Sequence, residues 1–223
     1  KETKYKTLDG RYVERIKFDS MPEATKWVNE YKNVTNFEYF GNTRHQYPFI
    51  ADEFKGKIDW DMNKIKLLTI DIECESENGF PSPEKADQPL ICITVKDHTT
   101  KKIIVFGMGN FVNDREDVQY INCVTETGLV ETFTKFWVEY NPDIITGWNV
   151  KFFDIPYLMN RFRYLMGDEW LNQFSPWGIV EQKSASVLFA SREQQVWNIM
   201  GVDTLDYLDL YRKFTFVRRE SYK

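Results

Sequence analysis

The run KIKLLTIDIE, residues 64 to 73, constrains the fold more than any other stretch of this chain. Apolar side chains dominate it, and it ends on two carboxylates, Asp71 and Glu73. In a strand, side chains two residues apart share a face, so Asp71 and Glu73 point one way and Ile70 and Ile72 the other. A strand that only filled a core has no use for charges at its tip. Two like charges this close repel and shift each other's pKa unless something positive lies between them. Alone, the D-x-E triplet reads either as a solvent-facing strand end or as a pair of ligands for a divalent cation.

The segments that follow fix the fold class. PLICITVKDH (89 to 98) and KKIIVFGM (101 to 108) read as strands joined in a hairpin through His98, Thr99 and Thr100, and INCV (121 to 124) as a fourth. TGLVETFTKFWVEY (127 to 140) places Leu129, Phe133, Phe136, Trp137 and Tyr140 on one helical face, and Asn141-Pro142 stops it. PDIITGWN (142 to 149) is a further strand. FDIPYLMNRFRYLMG (153 to 167) is a helix with Pro156 in its first turn and Gly167 at its end. QQVWNIMGVDT (194 to 204) predicts a strand and DTLDYLDLYRKF (203 to 214) a helix. Strands followed by alternating helices and strands predict an α/β sheet with helices on its faces. Residues 1 to 62, with helical spacing in MPEATKWVNEYKNV (21 to 34), read as part of a small leading domain, and 63 to 223 as the sheet domain.

Composition narrows the chemistry. No run of about 18 apolar residues suggests a membrane span, and the polar start KETKYKTLDGRY lacks a signal-peptide core, so no membrane partner is expected. Three cysteines, Cys74, Cys92 and Cys123, form no C-x-x-C pair, which argues against a disulfide framework or a cysteine zinc site and for a reducing, cytoplasmic setting. With only His45 and His98 besides, a metal would be held by oxygen, which favours Mg²⁺, Mn²⁺ or Ca²⁺. A net charge of −5 argues against indiscriminate nucleic-acid binding. The charge is uneven: Asp71, Glu73, Glu75, Glu77, Glu84 and Asp87 crowd one segment, while Arg212, Lys213, Arg218, Arg219 and Lys223 mark the tail. That suits a metal-using enzyme acting on a polyanion, and equally suits solvated loops of opposite sign.

A third carboxylate, Asp154, stands at the mouth of a helix that directly follows a strand ending at Asn149. Sites in open α/β sheets form where loops leave strand ends. A helix N-cap is the competing reading, because the helix dipole favours a carboxylate there.

Taken in order, "TIDIE", "FPSPEKADQPL", "IITGWNVKFFDIPYLMNRF" and "LDYLDLYRKF" resemble the 3′→5′ proofreading exonuclease domain of B-family DNA polymerases, in particular those of the T-even-type bacteriophage kind. The resemblance covers roughly residues 64 to 214. It implies an RNase-H-like fold and two-metal hydrolysis, with Mg²⁺ or Mn²⁺, of the 3′-terminal phosphodiester of single-stranded DNA. Asp71 would bridge both metals, Glu73 would hold one and orient the attacking water, and Asp154 would bind the second through water. Asn149 would position the single-stranded 3′ end. Phe80, Pro81 and Phe153 would meet its bases, although Phe80 reads equally well as a loop anchor on the sheet. The implied partners are that DNA end and the remainder of a polymerase chain.

The chain also departs from the family pattern. A Y-x-x-x-D motif on a later helix is expected, yet the match Tyr164 to Asp168 lies too close to Asp154. Asp203, Asp206 and Asp209 lack the tyrosine and read as structural, capping or solvent-facing. The motif is therefore expected beyond Lys223. The start at Lys1 without Met reads as a chain cut from something longer. With the paired-aspartate signature of a polymerase palm absent, it reads as the front part of a polymerase or the first half of one encoded in pieces. Asp59-Trp60-Asp61 is misplaced for that signature. The isolated chain is expected to bind metal weakly and cleave poorly. Two alternatives stand beside this reading: an RNA-processing nuclease of the same fold, and a non-catalytic module that holds nucleic acid or docks the rest of a polymerase. A glycosidase pair fails, because Asp71 and Glu73 lie side by side rather than across a sugar ring.

Overall fold

A computed structural model describes residues 5–41, 46–77, 79–186 and 193–215, which fall into two units, Lys1–Trp60 and Asp61–Lys223. Of the basic tail, Arg218, Arg219 and Lys223 lie outside the described residues.

The first unit begins with a short antiparallel pair, β1 (Tyr5–Lys6) and β2 (Tyr12–Val13). The helix read from 21 to 34 is α1 (Met21–Tyr31), whose N-cap Ser20 accepts from the Glu23 N–H. Trp27 gathers Phe18, Tyr31, Phe37 and Tyr39 around it. A second helix, α2 (Gln46–Glu53), has no apolar period to announce it. None of the described residues of this unit is buried.

The second unit is built on the run that opened the sequence reading. That run is β3 (Leu67–Cys74), and its burial alternates: Leu68, Ile70 and Ile72 are buried, Asp71 and Glu73 exposed. A 3-10 turn at Met62–Lys64 precedes it, with Asp61 accepting from the Asn63 N–H at 3.0 Å. Then come β4 (Leu90–Asp97), β5 (Ile103–Met108) and β6 (Val118–Cys123), the last longer than the INCV segment suggests. β4 and β5 form the expected hairpin, and Asp97 closes its turn by accepting from the Thr99 and Thr100 N–H groups. Helix α3 (Glu126–Tyr140) is capped by Thr125 and stops at Asn141, which adopts a left-handed conformation. β7 (Ile144–Gly147) and α4 (Asp154–Met166) follow, then a 3-10 segment at Asp168–Phe174.

Two expectations at the C-terminal end are corrected. The segment read as one strand over 194 to 204 is β9 (Glu193–Ile199), paired antiparallel with β8 (Val180–Ser186) in a separate hairpin. The helix read from 203 starts later: Asp203–Asp206 is strand β10, and α5 spans Tyr207–Phe214. Leucines three residues apart satisfy a helix, but here Leu205 lies in a strand paired parallel with β7. Tertiary pairing overrides the local spacing.

The main sheet is mixed, in the order β10-β7-β3-β4-β5-β6, with β3 beside β7 in parallel and beside β4 antiparallel. Its core joins Leu68, Ile70, Ile93, Phe106 and Ile145 from the strands with Leu129, Phe133 and Trp137 of α3 and Leu158 and Phe162 of α4. The indole N–H of Trp137 donates to Phe174 O at 2.9 Å, which ties the 3-10 segment to α3. No helix among the described residues is long and apolar enough to cross a membrane.

Candidate active site

The strand tip is exposed because β3 outruns its neighbour. Its pairing with β7 ends at Thr69 opposite Thr146, so the backbone from Ile70 onward has no strand on that side. On the other side the register with β4 skips a residue: Glu73 faces Cys92 and Cys74 faces Leu90, leaving Ile91 as the extra residue of a bulge. Bulges beside sites re-aim side chains and end pairing, and this one falls directly after Glu73.

Close approach at β7 needs a glycine. A Cβ at Gly147 would lie 2.6 Å from Ile70 O and 3.1 Å from the Val150 Cβ, nearer than side chains approach. After Gly147 the chain turns through Asn149, which holds a left-handed φ of 60° that Asn tolerates better than most residues. It then enters α4.

Asp154 is the first residue of that helix and is only 4% exposed. It is not the N-cap: Phe153 occupies that place and makes no side-chain capping bond. Instead the Asp154 carboxylate crosses to the strand tip and accepts from the Ile72 N–H at 3.2 Å. Ile72 lies between Asp71 and Glu73 in the chain, so the bond satisfies a donor that β7 leaves unpaired and brings Asp154 within electrostatic reach of Asp71.

The electrostatics record that crowding. Burial, and next the charge of Asp71, push the Asp154 pKa up to about 7. The N–H groups of Ile72 and of Asp154 itself pull it down, and nearby Asp206 adds to the rise. Partial burial also raises the Asp71 carboxyl. Cys74, next along the strand, has its thiol pushed up to about 12 by burial foremost. The carboxylate oxygens of Asp71, Glu73 and Asp154 are hard donors of the kind that suits Mg²⁺ or Mn²⁺. Among the described residues, no group of three or more His, Cys, Asp or Glu side chains stands close enough to enclose an ion.

The residues expected to meet DNA separate into two sorts. Phe80 is 79% exposed, and its ring stands 5.4 Å from that of Phe153, which in turn lies 6.0 Å from Tyr157. Phe80 and Phe153 thus form an aromatic pair at the mouth of the site, and Phe80 is no anchor sunk in the sheet. Pro81 is buried, so its expected contact with a base is not available in this structure. Asn149 is partly buried on the turn before α4.

Sequence reading took Asp206 as structural, capping or solvent-facing, and missed its reach. It is 4% exposed and caps α5 by accepting from the Leu208 N–H at 2.8 Å. The same carboxylate accepts from the Asn149 and Lys151 N–H groups, each at 3.0 Å, clamping the turn that delivers Asp154. Of its companions, Asp209 sits 3.7 Å from Lys151, and Asp203 is an exposed member of β10. Tyr164 is exposed and Asp168 begins the 3-10 segment, loosely paired with Arg163 at 3.9 Å. No local spacing signals the Asp206 clamp, because its partners lie more than fifty residues away.

Comparison with known proteins gives the family. The chain is 29% identical to the DNA-directed DNA polymerases of Escherichia phage RB69 and Enterobacteria phage T4 across 99% of its own length and 27% of theirs. It is 34% identical to the DNA polymerase delta catalytic subunit of Caenorhabditis elegans across 68% of this chain and 14% of that one. The chain thus spans about a quarter of the length of the phage relatives. The family profile described as "DNA polymerase family B, exonuclease domain" matches residues 19–223. With its mixed six-stranded sheet and flanking helices, an RNase-H-like fold, the chain belongs to the family B DNA polymerase exonuclease domains.

Proposed function

We propose that this chain carries a 3′→5′ proofreading site that hydrolyses the 3′-terminal phosphodiester of single-stranded DNA with two divalent cations, Mg²⁺ or Mn²⁺. The observation that supports this most directly is the Asp154 carboxylate bonded to the Ile72 N–H, between Asp71 and Glu73. A buried carboxylate whose ionisation is made costly by burial and by Asp71 is a poor arrangement for stability and a good one for cations. When bound, two such ions polarise the phosphate, activate water and stabilise the departing 3′ oxygen.

The chain's own residues supply the rest. Asp71 and Glu73 hold the ions from the exposed face of β3, and Glu73 orients the attacking water. Asp154 contributes from the rigid start of α4, through water. Phe80 and Phe153 receive the terminal base by stacking, which tolerates any sequence and is worth about 1–3 kcal/mol per base. Asn149 holds the strand behind it. The partners are a single-stranded 3′ end and, for a polymerase, the rest of that protein.

A second reading has its own observation. The described residues enclose no ion unaided, which favours a module that holds DNA and cuts it slowly or not at all. A 5′-labelled single strand, as DNA and as RNA, incubated with this chain in Mg²⁺ and in Mn²⁺ separates the two. The expected result is a slow ladder of mononucleotide steps from the 3′ end of DNA, abolished by Asp71→Ala. Binding without a ladder establishes the binding module. A ladder that survives Asp71→Ala removes the site altogether.

A further inference from the structure

Behind the carboxylates, α4 does something the proposed chemistry does not use. Tyr157, Asn160 and Arg161 stand at i, i+3 and i+4 and so share one face of the helix. Each reaches a backbone carbonyl in the loop between β3 and β4. The Tyr157 hydroxyl donates to Gln88 O at 2.6 Å, the Asn160 amide to Pro83 O at 2.7 Å, and an Arg161 N–H to Ala86 O at 3.1 Å. All three side chains belong to residues that are buried.

The loop completes the fastening. Gln88 donates to Gly79 O at 3.2 Å, adjacent to Phe80, and Pro81, Ala86 and Gln88 are buried. Arg161 is further held by a two-pronged pair with Glu126 (2.8 and 2.6 Å), and Glu126 also accepts from the Leu90 N–H where the loop enters β4. Phe80 nevertheless stays exposed at the loop's outer end. A loop fixed this heavily along its buried side, with an exposed aromatic set beside Phe153 at its outer end, is shaped to present that ring.

We propose that Tyr157, Asn160 and Arg161 are positioning residues that hold the 79–90 loop in the shape that offers Phe80 to the terminal base of a single-stranded DNA end. This rests on the reading of Phe80 as a base contact. It makes α4 a single part with two duties, Asp154 at its start and the loop fastening along its side. Strand end and aromatic contact are thereby kept in fixed register.

The test uses a single-stranded oligonucleotide with 2-aminopurine at its 3′ end, in Ca²⁺ to suppress cleavage. Terminal-base fluorescence and affinity are read for the wild type, Phe80→Ala, Asn160→Asp and the Tyr157→Phe/Asn160→Asp pair. Asn160→Asp removes the donor to Pro83 O and keeps the acceptor that Arg163 uses. Thermal melting and Mn²⁺ affinity are read alongside.

We expect wild-type quenching, its loss in Phe80→Ala, and the same loss in Asn160→Asp and the Tyr157→Phe/Asn160→Asp pair. Affinity should fall about tenfold, the scale of one lost base–aromatic stack. Mn²⁺ affinity should not change, and faster amide exchange in residues 79–90 should accompany the loss. A merely structural role would lower melting temperature and Mn²⁺ affinity together and leave quenching intact in the molecules that remain folded; that result overturns the proposal. Quenching lost in Phe80→Ala but wild-type in both latch variants overturns it too, while sparing Phe80 as the contact. Absence of any response from the wild type, or an unchanged Phe80→Ala, overturns both.

Discussion

At the scale of single residues, the site is organised by groups placed where they are costly. Asp154 is the clearest, a carboxyl buried at a helix start with its pKa raised to about 7 by burial and by Asp71. A folded-state pKa above the unfolded value means the folded protein holds a proton the unfolded chain has released. The stability this group contributes is full below the unfolded value near 3.8 and is lost as pH rises through about 7. Without divalent metal, Asp154→Asn, which keeps an acceptor for the Ile72 N–H, should raise the melting temperature by several degrees at pH 8 and hardly at all at pH 4. On the proposed two-metal reading, adding Mn²⁺ should reverse the order at pH 8, since the variant would lack one of the carboxylates proposed to hold the ions. Equal melting of the two proteins at both pH values, metal-free, would show that Asp154 is not strained. Gly147 is the second costly position, because any Cβ there meets Ile70 O. Gly147→Ala should destabilise the fold by about 1–3 kcal/mol through overpacking, read as a shift in urea midpoint at unchanged slope.

At the scale of elements, α4 is tied to α3 by a pair that is nearly out of water. Arg161 and Glu126 side chains are 7% and 14% exposed, and the guanidinium is held charged by Glu126 first of all. Removing one partner of such a pair leaves an unpaired buried charge, at about 3–5 kcal/mol, while an apolar replacement of both is far cheaper. Glu126→Ala should therefore cost more than the double variant Glu126→Ala/Arg161→Met, by urea unfolding of all three. Simple additivity of the single losses would dismiss the pair as a coupled unit. Part of this element structure was readable in advance. The apolar run of β3 announced the strand, and the two-residue spacing of Asp71 and Glu73 announced their shared face. Helix α3 was announced by its apolar stripe and by Asn141-Pro142. By contrast β8, VEQKSAS, is mostly polar and carries no period, so only its pairing with β9 makes it a strand. The start of α5 was misplaced because leucine spacing at Leu205 and Leu208 fits a helix until β7 claims the first of them. The reach of Asp154 to Ile72 spans eighty-two residues of chain. No local pattern encodes such a distance. The Asp206 clamp and the α4 fastening were hidden for the same reason, since both are contacts between side chains and remote backbone.

At the scale of the whole chain, the two units differ in what holds them. Every residue of the hydrophobic core from Leu68 to Val202 lies in the second unit, and none of the described residues before Asp61 is buried. The first unit relies on the Trp27 aromatic cluster and on exposed ion pairs such as Arg11–Glu38 and Arg15–Asp52. Exposed pairs contribute little, roughly 0–1 kcal/mol each. Burial of apolar surface is the dominant favourable term in folding, so cooperativity should reside in residues 61–223. A chain beginning at Asp61 should melt within a few degrees of the full chain, with the same Mn²⁺ affinity, because Asp71, Glu73, Asp154 and their supports are all retained. Residues 1–60 alone should show no cooperative transition by near-ultraviolet circular dichroism, although Trp27 and its neighbours give that unit a strong signal when ordered. A drop of ten degrees or more on removing the first unit would mean that it stabilises the sheet despite its exposure. In that event the carboxylate site would depend on residues far outside its own fold, and the weak retention of Mn²⁺ by the shortened chain would measure how much.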